Sequence, residues 1–168
     1  PAPLANVAKN LLGRAQMGFY RNVMDAEVYG RSFIPHNRNT IVISNHSSHL
    51  DMGFVKYALG SYGQDMVSLA AQDYFFEGRL RKTYLEHMTN LAPFDRRGGL
   101  RNGLRQASEP IRLGKTVLLF PEGTRSSDGV IQPFKPTLGH LALTCKTDIL
   151  PVYLGGTYEA LPKGSALP

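Results

Sequence analysis

A histidine and an aspartate, His46 and Asp51, stand five residues apart in Asn45-His46-Ser47-Ser48-His49-Leu50-Asp51. An imidazole beside a carboxylate is the pairing from which a general base is made. The carboxylate takes a hydrogen bond from one ring nitrogen and fixes the tautomer, leaving the other nitrogen free to accept a proton. A second stretch lies far downstream, Phe120-Pro121-Glu122-Gly123-Thr124-Arg125-Ser126. There Gly123 permits a tight turn or the close approach of a ligand, and Arg125 presents a planar fork suited to phosphate oxygens. Together the two stretches describe a site that activates a hydroxyl beside a bound phosphate.

Both stretches need elements to hold them. Thr40-Ile41-Val42-Ile43 is an apolar β-branched run, the signature of a short buried strand, and Leu50 to Leu59 reads as a helix. Ser47 or Ser48 is then the natural N-cap. Five residues turn an α-helix through about 500°, so His46 and Asp51 cannot share one helical face. The pairing requires His46 just outside the helix and Asp51 in its first turn, where the helix dipole favours a carboxylate. Gly114 to Phe120 reads as a turn followed by a buried strand, stopped by Pro121. Glu122 to Ser126 therefore lies at the strand's C-terminal end, the edge where open α/β sheets bind ligands. Taken singly, the first stretch is equally a capping sequence with a structural histidine, and the second a surface loop with an Arg–Glu ion pair.

The remaining pattern alternates. A leading amphipathic helix over residues 1–22 precedes an expected strand near Met24–Tyr29, and further strands are expected at Thr40–Ser44, Met66–Ala71, Leu91–Phe94 and Ile149–Leu154. Helices are expected from about Ser48, over Phe76–Met88, over Gly99–Leu113 and from Pro136. The alternation predicts an α/β fold, a mainly parallel central sheet with helices on both faces, in a single domain over residues 1–168. The glycine- and proline-rich stretch 155–168 reads as the start of a linker or as a truncated C-terminal part.

With both blocks in view, the chain resembles the glycerolipid acyltransferase family typified by 1-acyl-sn-glycerol-3-phosphate acyltransferase. That family carries an N-H-x-S-x-x-D block, matched here by Asn45, His46, Ser48 and Asp51, and an F-P-E-G-T-R-S block, matched by Phe120 to Ser126. Between them stands a block of the form G-x-x-F/I-x-x-R. Its counterpart is Asn90-Leu91-Ala92-Pro93-Phe94-Asp95-Arg96, with Asn90 in place of the usual glycine. A fourth block of apolar residues around a proline corresponds to Ile149-Leu150-Pro151-Val152. The resemblance runs from about Asp25 to about Gly156.

It implies that His46, held by Asp51, deprotonates an acceptor hydroxyl, which attacks the thioester of acyl-CoA or an acyl-carrier protein. Arg96, Gly123, Thr124 and Arg125 would bind a lysophosphatidate-type acceptor, with Glu122 positioning their loop or the acceptor itself. No metal or cofactor is expected, because a thioester is already activated. Two other readings differ in acceptor or in turnover: another lysophospholipid or a hydroxyl- or amine-bearing lipid as acceptor, and a catalytically silent lipid-binding module. A serine hydrolase is disfavoured, since Ser47 and Ser48 are not in a G-x-S-x-G elbow.

Composition bounds the setting. The 168 residues suffice for one domain with a proper core, and the formal charge of +6 calls for an anionic partner. Arg96, Arg97, Arg101 and Arg105 cluster beside the blocks, with no recognised nucleic-acid module, so a phosphate-bearing lipid and an anionic membrane surface are expected rather than nucleic acid. Arg79, Arg81, Lys82 and Arg112 read as a solvated face. The single cysteine, Cys145, falls in an apolar helical pattern and reads as core. No apolar run approaches the ~20 residues that span a bilayer. The expected location is peripheral, on the cytoplasmic side of a membrane. Pro1-Ala2-Pro3, without an initiating Met, suggests a piece of a larger, multidomain chain.

Overall fold

The computed structural model describes residues 2–36, 39–71, 91–94 and 100–164. Chain order runs α1 (Ala2–Asn22), β1 (Thr40–Ser44), α2 (Asp51–Leu59), β2 (Val67–Ala71), β3 (Leu91–Phe94), α3 (Leu100–Arg112), β4 (Val117–Leu119), α4 (Thr137–Cys145), β5 (Asp148–Val152) and α5 (Thr157–Ala160), with 3₁₀ turns at Arg31–Phe33 and Gly60–Gly63. Among the described residues the strands form one five-stranded sheet in the order β3-β2-β4-β1-β5. Every pairing in it is parallel.

Strand alternation explains why both faces are covered. On β1 and β4, Val42 and Leu118 point to one face, where they meet Val55 and Leu59 of α2 together with Tyr62, Met66 and Leu154. Their neighbours Ile41, Val117 and Leu119 point to the other face, against Ala107 and Ile111 of α3 and Leu141 of α4. Ile41, Val42, Val117 and Leu118 are all fully buried, so the central strands read as continuous apolar runs, as strands covered on both faces must. Burying each such side chain contributes about 1.5–3 kcal/mol before entropy is charged against it. The expected α/β sheet is the one observed.

Helix α1 docks through its C-terminal end. Tyr20, 3% exposed, lies edge-on to Phe54 of α2 with ring centroids 4.6 Å apart. The Tyr20 and Gln16 side chains occupy the space a Cβ at Gly53 would need, so glycine there lets the two helices approach. Further back along α1, Val7 and Leu11 are exposed.

Two local expectations are corrected. Met24–Tyr29 forms no strand. The amides of Met24 and Ala26 bond instead to Phe19 O and Tyr20 O at the end of α1, and both edges of β1 are already taken by β4 and β5. Nor is Ser47 or Ser48 the N-cap of α2: the helix begins at Asp51, behind Leu50, and Ser48 Oγ accepts from Leu50 N at 3.1 Å. The expected helix over Phe76–Met88 lies outside the described residues, as do Arg79, Arg81, Lys82, Arg96 and Arg97. Within the stretch 155–168, Thr157 and Leu161 are buried against the rest of the domain. Among the described residues, no helix is long and apolar enough to cross a membrane.

Candidate active site

Parallel strands deliver their C-terminal ends to one edge, and the two chemistry-bearing blocks meet there. Ile43 of β1 is in register with Leu119 of β4, so the residues after each strand leave the sheet side by side. Reciprocal hydrogen bonds clamp the loops. Ser126 N donates to His46 O at 2.7 Å, and His46 N donates to Glu122 Oε1 at 2.6 Å. Asn45 secures the neighbouring β5 end, its Nδ2 donating to Leu154 O at 2.9 Å and its Oδ1 accepting from Leu154 N at 2.8 Å.

His46 and Asp51 come together as their types and spacing required. Asp51 Oδ2 lies 2.8 Å from His46 Nδ1 and also accepts the amides of Ser47 at 2.7 Å and Ser48 at 2.8 Å. Three N–H groups thus converge on one oxygen, and a carboxylate is the acceptor suited to that. Burial of Asp51 by itself pushes its carboxyl upward. The bonds from the His46 ring and the Ser48 and Ser47 amides, with the Thr157 hydroxyl acting the same way, together outweigh it, so the group sits below its ordinary value of 3.8. With the carboxylate ionised, Nδ1 carries the proton and Nε2 offers its lone pair.

Ring orientation is fixed from a second side. Phe120 stacks on the imidazole, centroids 3.9 Å apart and planes within 15°. Ser47 Oγ lies 3.1 Å from Thr157 Oγ1, and Ser48 Oγ donates to Leu161 O at 2.8 Å. Tyr20 reaches across from α1 to donate to Leu50 O at 3.0 Å. Burial, with the nearby Asp51 charge acting the same way against Gln16, lifts the Tyr20 phenol to about 12, so it remains a donor at neutral pH.

Glu122 serves the loops. Only 3% exposed, it spends Oε1 on His46 N and Oε2 on Gln132 N at 2.7 Å. Of the two expectations for it, loop positioning is the one this geometry supports. Gly123 adopts φ 74°, the left-handed region that disfavours a side chain. Thr124 is exposed and Arg125 half-buried. Among the described residues, Arg125 Nη1 is buried without a hydrogen-bond partner, an arrangement that costs free energy unless an anion completes it. Arg96 lies outside the described residues. His49 is exposed. Cys145 is half-buried on the far side of the sheet, packed against the α3–α4 core, and burial raises its thiol despite Arg112. Gln132 and Thr157 were not distinguishable as site residues in the sequence, for each acts through a contact made only in the folded chain, and Phe120 was legible only as the first residue of its block.

One consequence is measurable in stability. Because the Asp51 carboxyl is depressed in the folded chain, the unfolded chain takes up its proton first as pH falls. Its stabilisation should be fully present above the ordinary carboxylate value and disappear as pH drops through the lower folded value. Urea unfolding of the wild-type chain and Asp51→Asn across pH 2–7 should therefore show a gap between them that narrows with acid. A gap independent of pH would contradict the depressed carboxyl.

Comparison with known proteins agrees with this geometry. The sequence model of the family described as Acyltransferase matches residues 25–155. The chain is 33% identical over 133 residues to a 1-acyl-sn-glycerol-3-phosphate acyltransferase of Limnanthes alba, covering 76% of this chain and 45% of that protein. It is 31% identical over 127 residues to a chloroplastic 1-acyl-sn-glycerol-3-phosphate acyltransferase of Brassica napus, covering 74% of this chain and 35% of that protein. The crystal structure of the 1-acyl-sn-glycerophosphate acyltransferase PlsC from Thermotoga maritima superimposes with a TM-score of 0.69 at 28% identity, covering 95% of this chain and 64% of that one. The chain thus spans less than half the length of these two curated relatives. A family match over most of its length, around a sheet edge that joins both blocks, makes this chain a member of the acyltransferase family.

Proposed function

We propose that the chain is the acyl-transfer domain of a 1-acylglycerol-3-phosphate O-acyltransferase. It would move a fatty acyl group from acyl-CoA or acyl-carrier protein to the hydroxyl of a lysophosphatidate-type acceptor in phospholipid synthesis. The observation that carries this reading is the His46–Asp51 pair, with His46 Nδ1 2.8 Å from Asp51 Oδ2. His46 Nε2 removes the acceptor hydroxyl proton as the oxygen attacks the thioester carbonyl carbon. The tetrahedral intermediate then expels the thiolate, which takes the proton from His46, leaving an ester, a thiol and the enzyme unchanged. General-base help is worth roughly 10²–10⁴-fold, so holding the two substrates in reacting geometry must supply much of the rest.

Arg125, with its unpaired buried Nη1, is assigned to the acceptor phosphate, as is Arg96 on the strength of the block it shares with the family. Gly123 and Thr124 shape the turn on which that phosphate rests. A lipid acceptor requires access to a bilayer, and the positive charge of +6 suits peripheral association with an anionic cytoplasmic surface.

The test is a kinetic split. Arg125→Ala should raise KM for lysophosphatidate by about 10–100-fold, the loss of a charge-assisted phosphate contact, while KM for acyl-CoA stays within about twofold. Equal losses for the two substrates would remove Arg125 from the acceptor site. No acceptor-dependent thiol release from wild-type protein, with either donor, would remove the reading itself.

A further inference from the structure

Lys135 sits at the site with no role assigned to it so far. It lies in Gln132-Pro133-Phe134-Lys135-Pro136, where proline rings fix φ on either side. Its amide donates to Pro121 O at 2.9 Å, and Gln132 N donates to Glu122 Oε2 at 2.7 Å. The segment is thus tied at two points to the block that ends β4. From there the side chain reaches back over Gly123. A Cβ placed on that glycine would stand 2.7 Å from Lys135 Nζ, 2.8 Å from Cε and 3.0 Å from Cδ.

The end of the lysine stem therefore rests against the bare backbone of Gly123, beside Glu122 and two residues before Arg125. Both carboxylate oxygens of Glu122 accept backbone amides. Among the described residues, Lys135 Nζ has no hydrogen-bond or ion-pair partner. Holding an exposed lysine against a turn costs rotamer entropy, which a bound anion would offset. A phosphate monoester carries about −1.5 to −2 charge at pH 7, more than Arg125 alone neutralises.

We propose that Lys135 is a further cation of the acceptor's phosphate site, acting with the arginines assigned there to select a phosphate monoester over an uncharged lipid. This deepens the acyltransferase reading and rests on it. Gly123 then has two reasons to be glycine: its φ of 74°, and the space the ammonium needs.

The experiment measures equilibrium binding of glycerol 3-phosphate and, separately, of CoA to the wild-type chain, Lys135→Met and Lys135→Arg, with thiol release followed on the same preparations. Glycerol 3-phosphate should bind about tenfold more weakly to Lys135→Met, the usual scale for one charge-assisted contact. Binding should recover in Lys135→Arg, and CoA affinity should be unchanged. KM for lysophosphatidate should rise in Lys135→Met with kcat within about twofold. Equal binding by wild type and Lys135→Met, a loss confined to CoA, or no saturable binding to wild type would each overturn the proposal. Lys135-dependent binding in a chain that releases no thiol would leave the phosphate contact standing and refute the reaction instead.

Discussion

His46→Ala should lower acceptor-dependent thiol release by about 10³-fold or more, within or beyond the range for a general base, while the chain stays folded. The fold survives because the backbone groups of residue 46 do the structural work. Its amide bonds Glu122 and its carbonyl accepts from Ser126, and alanine keeps both. What disappears is the ring bond to Asp51 and the stack on Phe120, worth about 1–2 kcal/mol together. Asp51 retains the Ser47 and Ser48 amides, so no charge is stranded. Circular dichroism and an unfolding curve close to wild type, beside lost turnover, would separate chemistry from folding. Turnover comparable to wild type in this variant would refute the base assignment.

Asp51→Asn should cost both rate and stability, for reasons that can be told apart. Three N–H groups point at Oδ2, so an asparagine must place its carbonyl oxygen there. Its amide nitrogen then takes the Oδ1 position, which is buried and has no hydrogen-bond partner. The oxygen still accepts from Nδ1–H, so the tautomer should hold, and the rate falls because no charge stabilises the imidazolium formed during attack. A loss of about 10²-fold is expected, toward the low end for general-base catalysis, with acceptor KM little changed. Replacing charge-assisted bonds by neutral ones, with a donor left unsatisfied, should cost about 3 kcal/mol of stability. Kinetics and urea unfolding on one preparation check both. An unchanged kcat would show that Asp51 is only a loop anchor.

Residue type and spacing disclosed the chemistry earlier than they disclosed the architecture around it. His46 and Asp51 were legible only with the second block in view, since their own stretch is equally a capping sequence. The sheet was legible because Ile41, Val42, Val117 and Leu118 lie in apolar runs too short for helices. What stayed hidden depended on partners distant in sequence. Met24 to Tyr29 has a strand's composition, but the end of α1 takes the amides of Met24 and Ala26. Ser47 and Ser48 have capping chemistry, yet Asp51 draws their amides backward and the helix starts later. Glu122 announced a functional loop, but two backbone amides decide what its carboxylate does. Lys135 gave no signal in the sequence, since its place over Gly123 depends on how the loop closes.

The most direct measurement is thiol release from a long-chain acyl-CoA and, in parallel, from acyl-carrier protein, with and without lysophosphatidate, for the wild-type chain and His46→Ala. Release by the wild-type chain that requires the acceptor, and vanishes in His46→Ala, is the predicted result. Release that persists in the variant, or that proceeds equally without acceptor, would contradict a histidine-based acyl transfer to a lipid hydroxyl.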